Sequence, residues 1–299
     1  MPADAKMRRI SIGTNPAGTM YFVLGGGFAK LYKEKLGIRS TAQPHAGSSV
    51  SLPLLEKGEL ALGLNSSLDS ALAYNGRAPY KTATKKVRAS SGIKTIADLK
   101  GKRIVTHIKS NVSLRQLNRT ILATAGMTFN DIIPVEAGGL VQNINKVVEG
   151  RADAAITALR IPVFRKAHVS IPGGAQILAL GPKATDEFMS SRTPGSRTFT
   201  TKPAKGNVGV NAVTKIAAFD SYVNVGSQIS NGEAYTLIKT MHPNWKELQK
   251  PLRVLRGLKP NQIAPPGNVI PYHPGAVKYY KEAGVWTAAN DKRDAELMK

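Results

Sequence analysis

The strongest constraint on this chain is a repeated pattern: a short apolar run, a small polar loop, then an apolar stripe at helical spacing that ends near glycine. Arg9 to Gly13 reads as a strand and Thr14 to Thr19 as the loop. Leu24, Phe28 and Leu31 then share one helical face, and Gly37 supplies the stop. The unit recurs with Ile38 to Gln43 as strand, Ala46 to Ser49 as loop and Val50 to Lys57 as helix before Gly58. Pro53 requires that this helix start near Ser49 to Ser51, since proline is tolerated in a first turn. Leu60 to Leu64 is a third strand, followed by Asn65-Ser66-Ser67 and a helix through Tyr74.

The middle of the chain repeats the series. Arg103 to Ile108 is a strand, Lys109-Ser110-Asn111 a loop, and Ser113 to about Ala125 a helix with Leu114, Leu117, Ile121 and Leu122 on its apolar face. Ile132 to Glu136, Ala137 to Gly139 and Leu140 to Glu149 follow as strand, loop and helix, and Ala154 to Thr157 as a strand. Such alternation imposes mostly parallel sheets, because parallel neighbours need a crossover long enough for a helix. The fold class is therefore α/β. Ala184 to Gly206, rich in Ser, Thr, Pro and Gly, reads as an irregular surface excursion. Asn207 to Thr214 and Ser221 to Val225 resume strand character, and Tyr235, Leu237 and Ile238 mark a helix ending near His242. Pro260 to Pro274 reads as loop, and Gly275 to Gly284 as a last short helix.

In open parallel sheets, ligands sit at the carboxyl ends of the strands. Every polar loop above lies at such an end and opens a helix, where backbone N–H groups and partial positive charge suit an anion. The candidates are Thr14, Asn15, Gly18, Thr19 and Tyr21 in the first unit, Ser48 and Ser49 in the second, and Ser66 and Ser67 in the third. Lys109, Ser110, Asn111 and Ser113 open the first helix of the middle series, and Thr157 and Arg160 follow its last strand. Arg160 has the fork geometry to hold a carboxylate with two hydrogen bonds. An ordinary capping role is the competing reading for each loop, and a surface arginine that for Arg160.

The chain carries 42 Lys+Arg against 19 Asp+Glu, a net charge of +23, which suits nucleic acid, an anionic membrane or a small anion. The basic residues are dispersed and aromatics make up only 6%, unlike a nucleic-acid surface with interleaved rings. No cysteine is present, which excludes disulfides, thiolate metal sites and a cysteine nucleophile. The five histidines show no metal-ligand spacing, and no nucleophile elbow or phosphate-binding Gly-Lys-Ser/Thr loop occurs. His45 and His107 lie near strand ends, where packing or solvation is the simpler role. Gly25-Gly26-Gly27 falls inside a helical pattern and reads as close packing. No catalytic residue, cofactor or metal is expected, and no apolar run is long enough to span a bilayer.

Several segments together resemble the TAXI-type solute receptors of tripartite ATP-independent periplasmic (TRAP) transporters. They are Ile10 to Thr14 with Gly18-Thr19-Met20-Tyr21 and Leu24-Gly25-Gly26, Gly47-Ser48-Ser49-Val50 with Leu54-Leu55 and Gly58-Glu59, and Ala73-Tyr74-Asn75-Gly76. Gly92 to Arg103, Gly150 to Ala155 and Tyr272-His273-Pro274-Gly275-Ala276 complete the series. The resemblance covers nearly the whole chain. It implies a two-lobed periplasmic binding protein fold of the type II kind, each lobe a mostly parallel sheet flanked by helices, with a ligand cleft between the lobes. The expected lobes are residues 1–92 with 215–299, and 93–214. The implied function is an extracytoplasmic receptor that binds a small carboxylate or amino acid, such as glutamate or 2-oxoglutarate, and delivers it to TRAP membrane subunits. The alternative is an enzyme or ligand-sensing module on the same fold. A periplasmic monomer is implied, whose export signal has been removed. Three departures stand out. Asn15-Pro16-Ala17 occupies a loop where relatives have glycines, and the stretch between Tyr80 and Ser91 is shorter than theirs. The acidic place after the third strand is also shifted, with Leu68 in it and Asp69 following.

Overall fold

The computed structural model describes residues 7–75 and 93–299. The shortened stretch between Tyr80 and Ser91, and the motif ends at Gly76 and Gly92, lie outside the described residues. The chain forms two compact units, Met1–Asn65 with Ser221–Lys299, and Ser66–Asp220. Among the described residues this division differs from the expected one at residues 66–75 and 215–220.

The first unit opens with the anticipated series: β1 (Arg9–Thr14), α1 (Met20–Leu36), β2 (Arg39–Pro44), α2 (Ser48–Glu56) and β3 (Leu62–Ser66). β1 runs parallel to both β2 and β3, so their carboxyl ends share one edge of the sheet. Alternation along β1 gives the sheet two covered faces. A Cβ on Gly13 would meet Leu60 and Ser51, on the α2 side, whereas Thr14 faces Gly25 of α1. Ile10 and Ile12 are fully buried and share a core with Leu24, Phe28, Leu31 and Tyr32 of α1. Burial pushes the Tyr32 hydroxyl well above the usual phenol range, with Tyr280 adding to the effect.

In the second unit, α3 (Ser67–Tyr74) is followed by β4 (Arg103–Ile108), α4 (Ser113–Ala123), β5 (Ile133–Ala137), α5 (Leu140–Val148) and β6 (Ala154–Ala155). The sheet order is β5-β4-β6, and β4 is parallel to both neighbours. Leu68 of α3 is buried with Val105 and Ile108 of β4 and Leu114 and Leu117 of α4, which assigns α3 to this unit. Asp153 fastens the sheet: its carboxylate accepts Arg103 Nη2 at 2.6 Å, Nε at 3.0 Å and the backbone N–H at 2.8 Å. Three further elements follow, α6 (Pro162–Ser170), α7 (Asp186–Arg192) and β7 (Ser196–Thr201), then β8 (Thr214–Phe219). The stretch from Ala184 to Gly206, expected to be irregular, thus holds a helix and a strand. Thr185 caps α7 by accepting Phe188 N–H, and Asp186 and Glu187 fill its first turn. β7 and β8 form an antiparallel pair from Ser196↔Phe219 to Thr201↔Thr214, built on residues suited to a pleated surface. Asn207 to Thr214, expected as a strand, is mostly loop, and the strand begins where it was expected to end.

The chain returns to the first unit with β9 (Ser221–Val225), which lies beside β3 in the order β2-β1-β3-β9. α8 (Asn231–Met241), α9 (Trp245–Gln249), α10 (Pro274–Glu282) and α11 (Ala288–Leu297) complete it. Leu237, Ile238, Met241, Trp245, Tyr279 and Tyr280 join the α1 core. The sequence pattern missed α6, α9 and α11, which are short or carry few apolar positions.

The glycine run in α1 is position-specific. A Cβ on Gly25 would lie 2.3 Å from Thr14 Cγ2, and one on Gly27 would lie 2.5 Å from Leu252 Cδ1, while one on Gly26 meets nothing within 4 Å. Gly25→Ala should therefore lower stability by about 1–3 kcal/mol through overpacking. Gly26→Ala should raise it by up to about 1 kcal/mol through helix propensity. Urea unfolding of the two variants checks the contrast, and equal midpoints would contradict it.

Candidate functional site

In the first unit the carboxyl ends of β1, β2 and β3 bring Thr14, Asn15, His45, Ser48 and Asn65 to one edge. Thr14, Asn15, Ser48 and Asn65 are all 3% exposed or less. The loop after β1 is tied to itself: Thr19 donates its N–H to Pro16 O at 3.2 Å and its hydroxyl to the same atom at 2.7 Å. Thr19 also caps α1, accepting Phe22 N–H, and Gly18 takes the left-handed φ of 86° that the turn requires. Thr14 Oγ1 donates to Gln43 O at 3.3 Å and Asn15 O at 3.1 Å, and His45 N–H donates to Thr14 O at 2.8 Å. Tyr21 is buried, and its hydroxyl accepts from Ser221 at 3.3 Å. Ser51 Oγ donates to Asn65 Oδ1 at 3.2 Å.

Ser66 and Ser67 have mainly structural partners. Ser66 Oγ donates to Asp69 at 2.7 Å and accepts Asp69 N–H at 3.0 Å, capping α3. Ser67 Oγ donates to Gly195 O at 3.0 Å, and its N–H to Asp220 O at 2.9 Å. Ser49 is half-buried at the start of α2.

In the second unit, Ser110, Asn111 and Ser113 lie between β4 and α4, each 5% exposed or less. Most of the backbone donors there are engaged: Lys109 N–H with Ala137 O at 3.0 Å, Ser110 with Gly138 O at 3.3 Å and Asn111 with Ile108 O at 2.9 Å. Lys109 Nζ pairs with Glu136 at 2.6 Å and holds that carboxyl below its usual range. Thr157 is half-buried. Arg160 is exposed, adopts a positive φ of 64°, and donates Nε to Asn207 Oδ1 at 2.8 Å.

These bonds move the emphasis from backbone amides to side chains. Among the described residues, the buried side-chain atoms without a hydrogen-bond partner include Asn15 Oδ1, His45 Nε2 and Asn65 Nδ2 in the first unit. In the second they include His107 Nδ1, Ser113 Oγ and Arg115 Nε. Asn15, His45, Asn65 and His107 stand at or next to strand carboxyl ends and Ser113 and Arg115 in the first turn of α4, while Thr41, Asn143 and Asn268 hold an unpaired atom elsewhere. A buried polar atom left unpaired costs about 1–3 kcal/mol, so its persistence at one edge of a sheet calls for a reason. The sequence pattern points to Asn15 and Ser113 but not to Asn65 or Arg115, and it gives His45 and His107 the simpler role. One signal for Arg115 was available: none of positions 111, 112, 118 and 119 is acidic, so the helix offers it no partner.

His107 is 5% exposed, and burial first, then the nearby Arg115, lower its pKa below the ordinary value. A cavity of about 350 Å³ lies elsewhere in the first unit, at the amino end of β1, lined by Arg9, Glu59, Gln228 and Glu233 among others.

A profile described as the NMT1-like family matches residues 12–284. Among solved structures, the alkanesulfonate-binding protein SsuA from Xanthomonas axonopodis pv. citri, bound to MOPS, is 18% identical. The match covers 85% of this chain and 81% of that one, with a TM-score of 0.47. The periplasmic aliphatic sulphonate binding protein SsuA from Escherichia coli is 16% identical over 96% of this chain and 91% of that one, with a TM-score of 0.44. A periplasmic substrate-binding protein of an ABC transporter from Coxiella burnetii is 16% identical over 81% and 96%, with a TM-score of 0.40.

Two outcomes follow from the unpaired atoms. Asn15→Ala removes a buried acceptor that has no donor, so thermal unfolding of the ligand-free protein should show stability unchanged or raised by up to about 1 kcal/mol. A loss of more than that would mean Asn15 serves the fold. His107 titrates lower folded than unfolded, so its neutral form favours the native state fully above about pH 6.5. That contribution falls away as the pH drops from there through the folded value, by at most about 1.4 kcal/mol per pH unit. His107→Gln should flatten the acid limb of stability measured by urea unfolding between pH 7 and 5, and an identical limb would contradict the assignment.

Proposed function

The chain belongs to the NMT1-like family, and on that premise we propose that it is a solute-binding receptor, which captures a small organic anion and hands it on chemically unchanged. The observation that carries the proposal is the set of unpaired buried atoms at strand carboxyl ends and in the first turn of α4. Asn15, His45 and Asn65 offer acceptor and donor atoms in one unit, and His107, Ser113 and Arg115 do so in the other. An enzyme needs a nucleophile bonded to a base, or an acid/base pair, at such a place, whereas Ser113 Oγ and His107 Nδ1 each lack a hydrogen-bond partner. The atoms here suit recognition: they fix a polar ligand by hydrogen bonds, and their unpaired state rewards its arrival.

The finer reading rests on the motif series alone. It makes the chain a TAXI-type receptor, working in the periplasm as a monomer and delivering a glutamate- or 2-oxoglutarate-like solute to TRAP membrane subunits. Among the described residues no helix is long and apolar enough to cross a membrane, and the reading gives the crossing step to those subunits. Thr14, Ser48 and Ser49 are the candidate ligand residues of the first unit, and Ser110, Asn111 and Thr157 are those of the second. The high positive charge raises the local concentration of an anion, in a salt-sensitive way.

Calorimetric titration of the whole chain with glutamate, 2-oxoglutarate, short alkanesulfonates and methylphosphonate tests this. At least one should bind at a single saturable site, and Asn65→Ala should weaken it about tenfold or more. Absence of binding to all of them by folded, ligand-free protein would overturn the receptor reading for organic acids. Tight binding of a sulfonate or phosphonate alone would overturn the carboxylate assignment while leaving the receptor reading in place.

A further inference from the structure

We infer that the first unit carries a docking face for an anionic phospholipid bilayer, formed by α9, the loop that follows it to Lys259 and the last turn of α1. The inference goes beyond the receptor reading and does not rest on it.

The segment from Lys246 to Lys259 holds five basic residues and one acid. No acidic residue occurs from Leu248 to Lys281. The single acid, Glu247, is already matched, since Lys35 Nζ of α1 pairs with it at 3.0 Å. Lys246, Lys250 and Lys259 are exposed, and none of the ion pairs found among the described residues includes them. Lys33 adds an exposed cation in the last turn of α1. Charge concentrated in this way acts at short range, where salt screens it least.

The fold gathers these cations around an apolar point. Leu248, Leu252 and Leu255 are buried in the α1 core, and Leu252 lies over Gly27 of that helix. Leu258 turns the other way and is 48% exposed. Its backbone is nevertheless fixed. Leu258 O accepts Trp245 Nε1–H at 3.1 Å and Gln249 Nε2–H at 2.7 Å, and its own N–H donates to Leu255 O at 3.0 Å. The bond from Gln249 to Leu258 places their chain neighbours, Lys250 and Lys259, on either side of one bridge. Arg256 closes the end of α9, donating Nε to Gln249 O at 3.4 Å and Nη2 to Lys250 O at 3.0 Å. A single exposed leucine is ordinary on a surface. Here it is held in place beside lysines that enter no ion pair. An anionic bilayer answers both features at once: headgroup phosphates meet the ammonium groups, and the leucine enters the acyl boundary. A soluble acidic partner would use the charge and leave the leucine in water.

This face leaves the candidate ligand residues of the same unit clear. α1 starts beside the carboxyl end of β1 and ends at Leu36, just before β2 begins at Arg39. Its last turn therefore lies toward the amino edge of the sheet, away from Thr14 and Asn15.

Vesicle flotation with the full chain at physiological ionic strength tests the inference. One set of vesicles is phosphatidylcholine alone, and the other is equal parts phosphatidylcholine and phosphatidylglycerol. The unaltered protein should float with the second set and not with the first. Each lysine at an anionic surface contributes about fivefold, so Lys246→Gln, Lys250→Gln and Lys259→Gln combined should weaken partition about a hundredfold. Lys166→Gln, Lys202→Gln and Lys205→Gln combined remove the same charge from exposed positions of the second unit. They should cost no more than about threefold, the share due to net charge alone. Leu258→Ser should cost about fivefold on vesicles and leave binding to heparin, a soluble polyanion, unchanged. No flotation with the anionic vesicles, or equal loss in the two triple variants, overturns the docking face. Flotation of Leu258→Ser equal to that of the unaltered protein overturns the bilayer as the partner and makes the face a general polyanion surface.

Discussion

Parallel pairing at β1 and β4 is the constraint on which the rest depends. Each of these strands has parallel neighbours on both sides, β2 and β3 in one unit, β5 and β6 in the other. A parallel neighbour can be reached only by a crossover, here usually through a helix, so each strand's carboxyl end opens onto a loop at the same edge. The polar loops gather there because the apolar strands and helix faces are committed to the core. Ile10 and Ile12 with Leu24 and Phe28, and Val105 and Ile108 with Leu114 and Leu117, anchor the two cores.

The edges of the two sheets carry different chemistry although they arise from the same topology. Beside β1 the backbone and hydroxyl groups largely satisfy one another, through Thr14, Thr19 and Pro16, and leave neutral side-chain atoms unpaired. Beside β4 the loop amides also bond inward, while an arginine and a buried hydroxyl remain. Unpaired buried groups destabilise a ligand-free protein, which is how a binding site commonly trades stability for recognition. Asp153 shows the opposite case. It is an isolated acid in the sequence, yet in the fold it holds Arg103 at the start of β4 with three hydrogen bonds.

Much of the fold was legible in advance because periodicity and glycine stops are local signals. The strand–loop–helix series from Arg9 to Ser66 and from Arg103 to Ala155 appears within a few residues of where the pattern put it. Legibility failed where the signal was short or diluted. α7 and β7 hide in a Ser- and Thr-rich stretch, and their identity comes from a threonine cap and from pairing with β8, a partner distant in sequence. α3 was grouped with the strand before it, whereas Leu68 is buried against β4 and α4.

The residue order alone determined the α/β class, the parallel sheets and the row of polar loops at strand ends, since these follow from hydrophobic spacing and crossover length. Tertiary structure alone decided which polar groups were already satisfied. Ser66, Ser67, Lys109 and Arg160 find partners in the fold, while Asn65, His107, Ser113 and Arg115 keep an unpaired atom. A hydrogen-bond partner is a matter of distance and direction in space, and neither is written in the spacing of a single strand or helix.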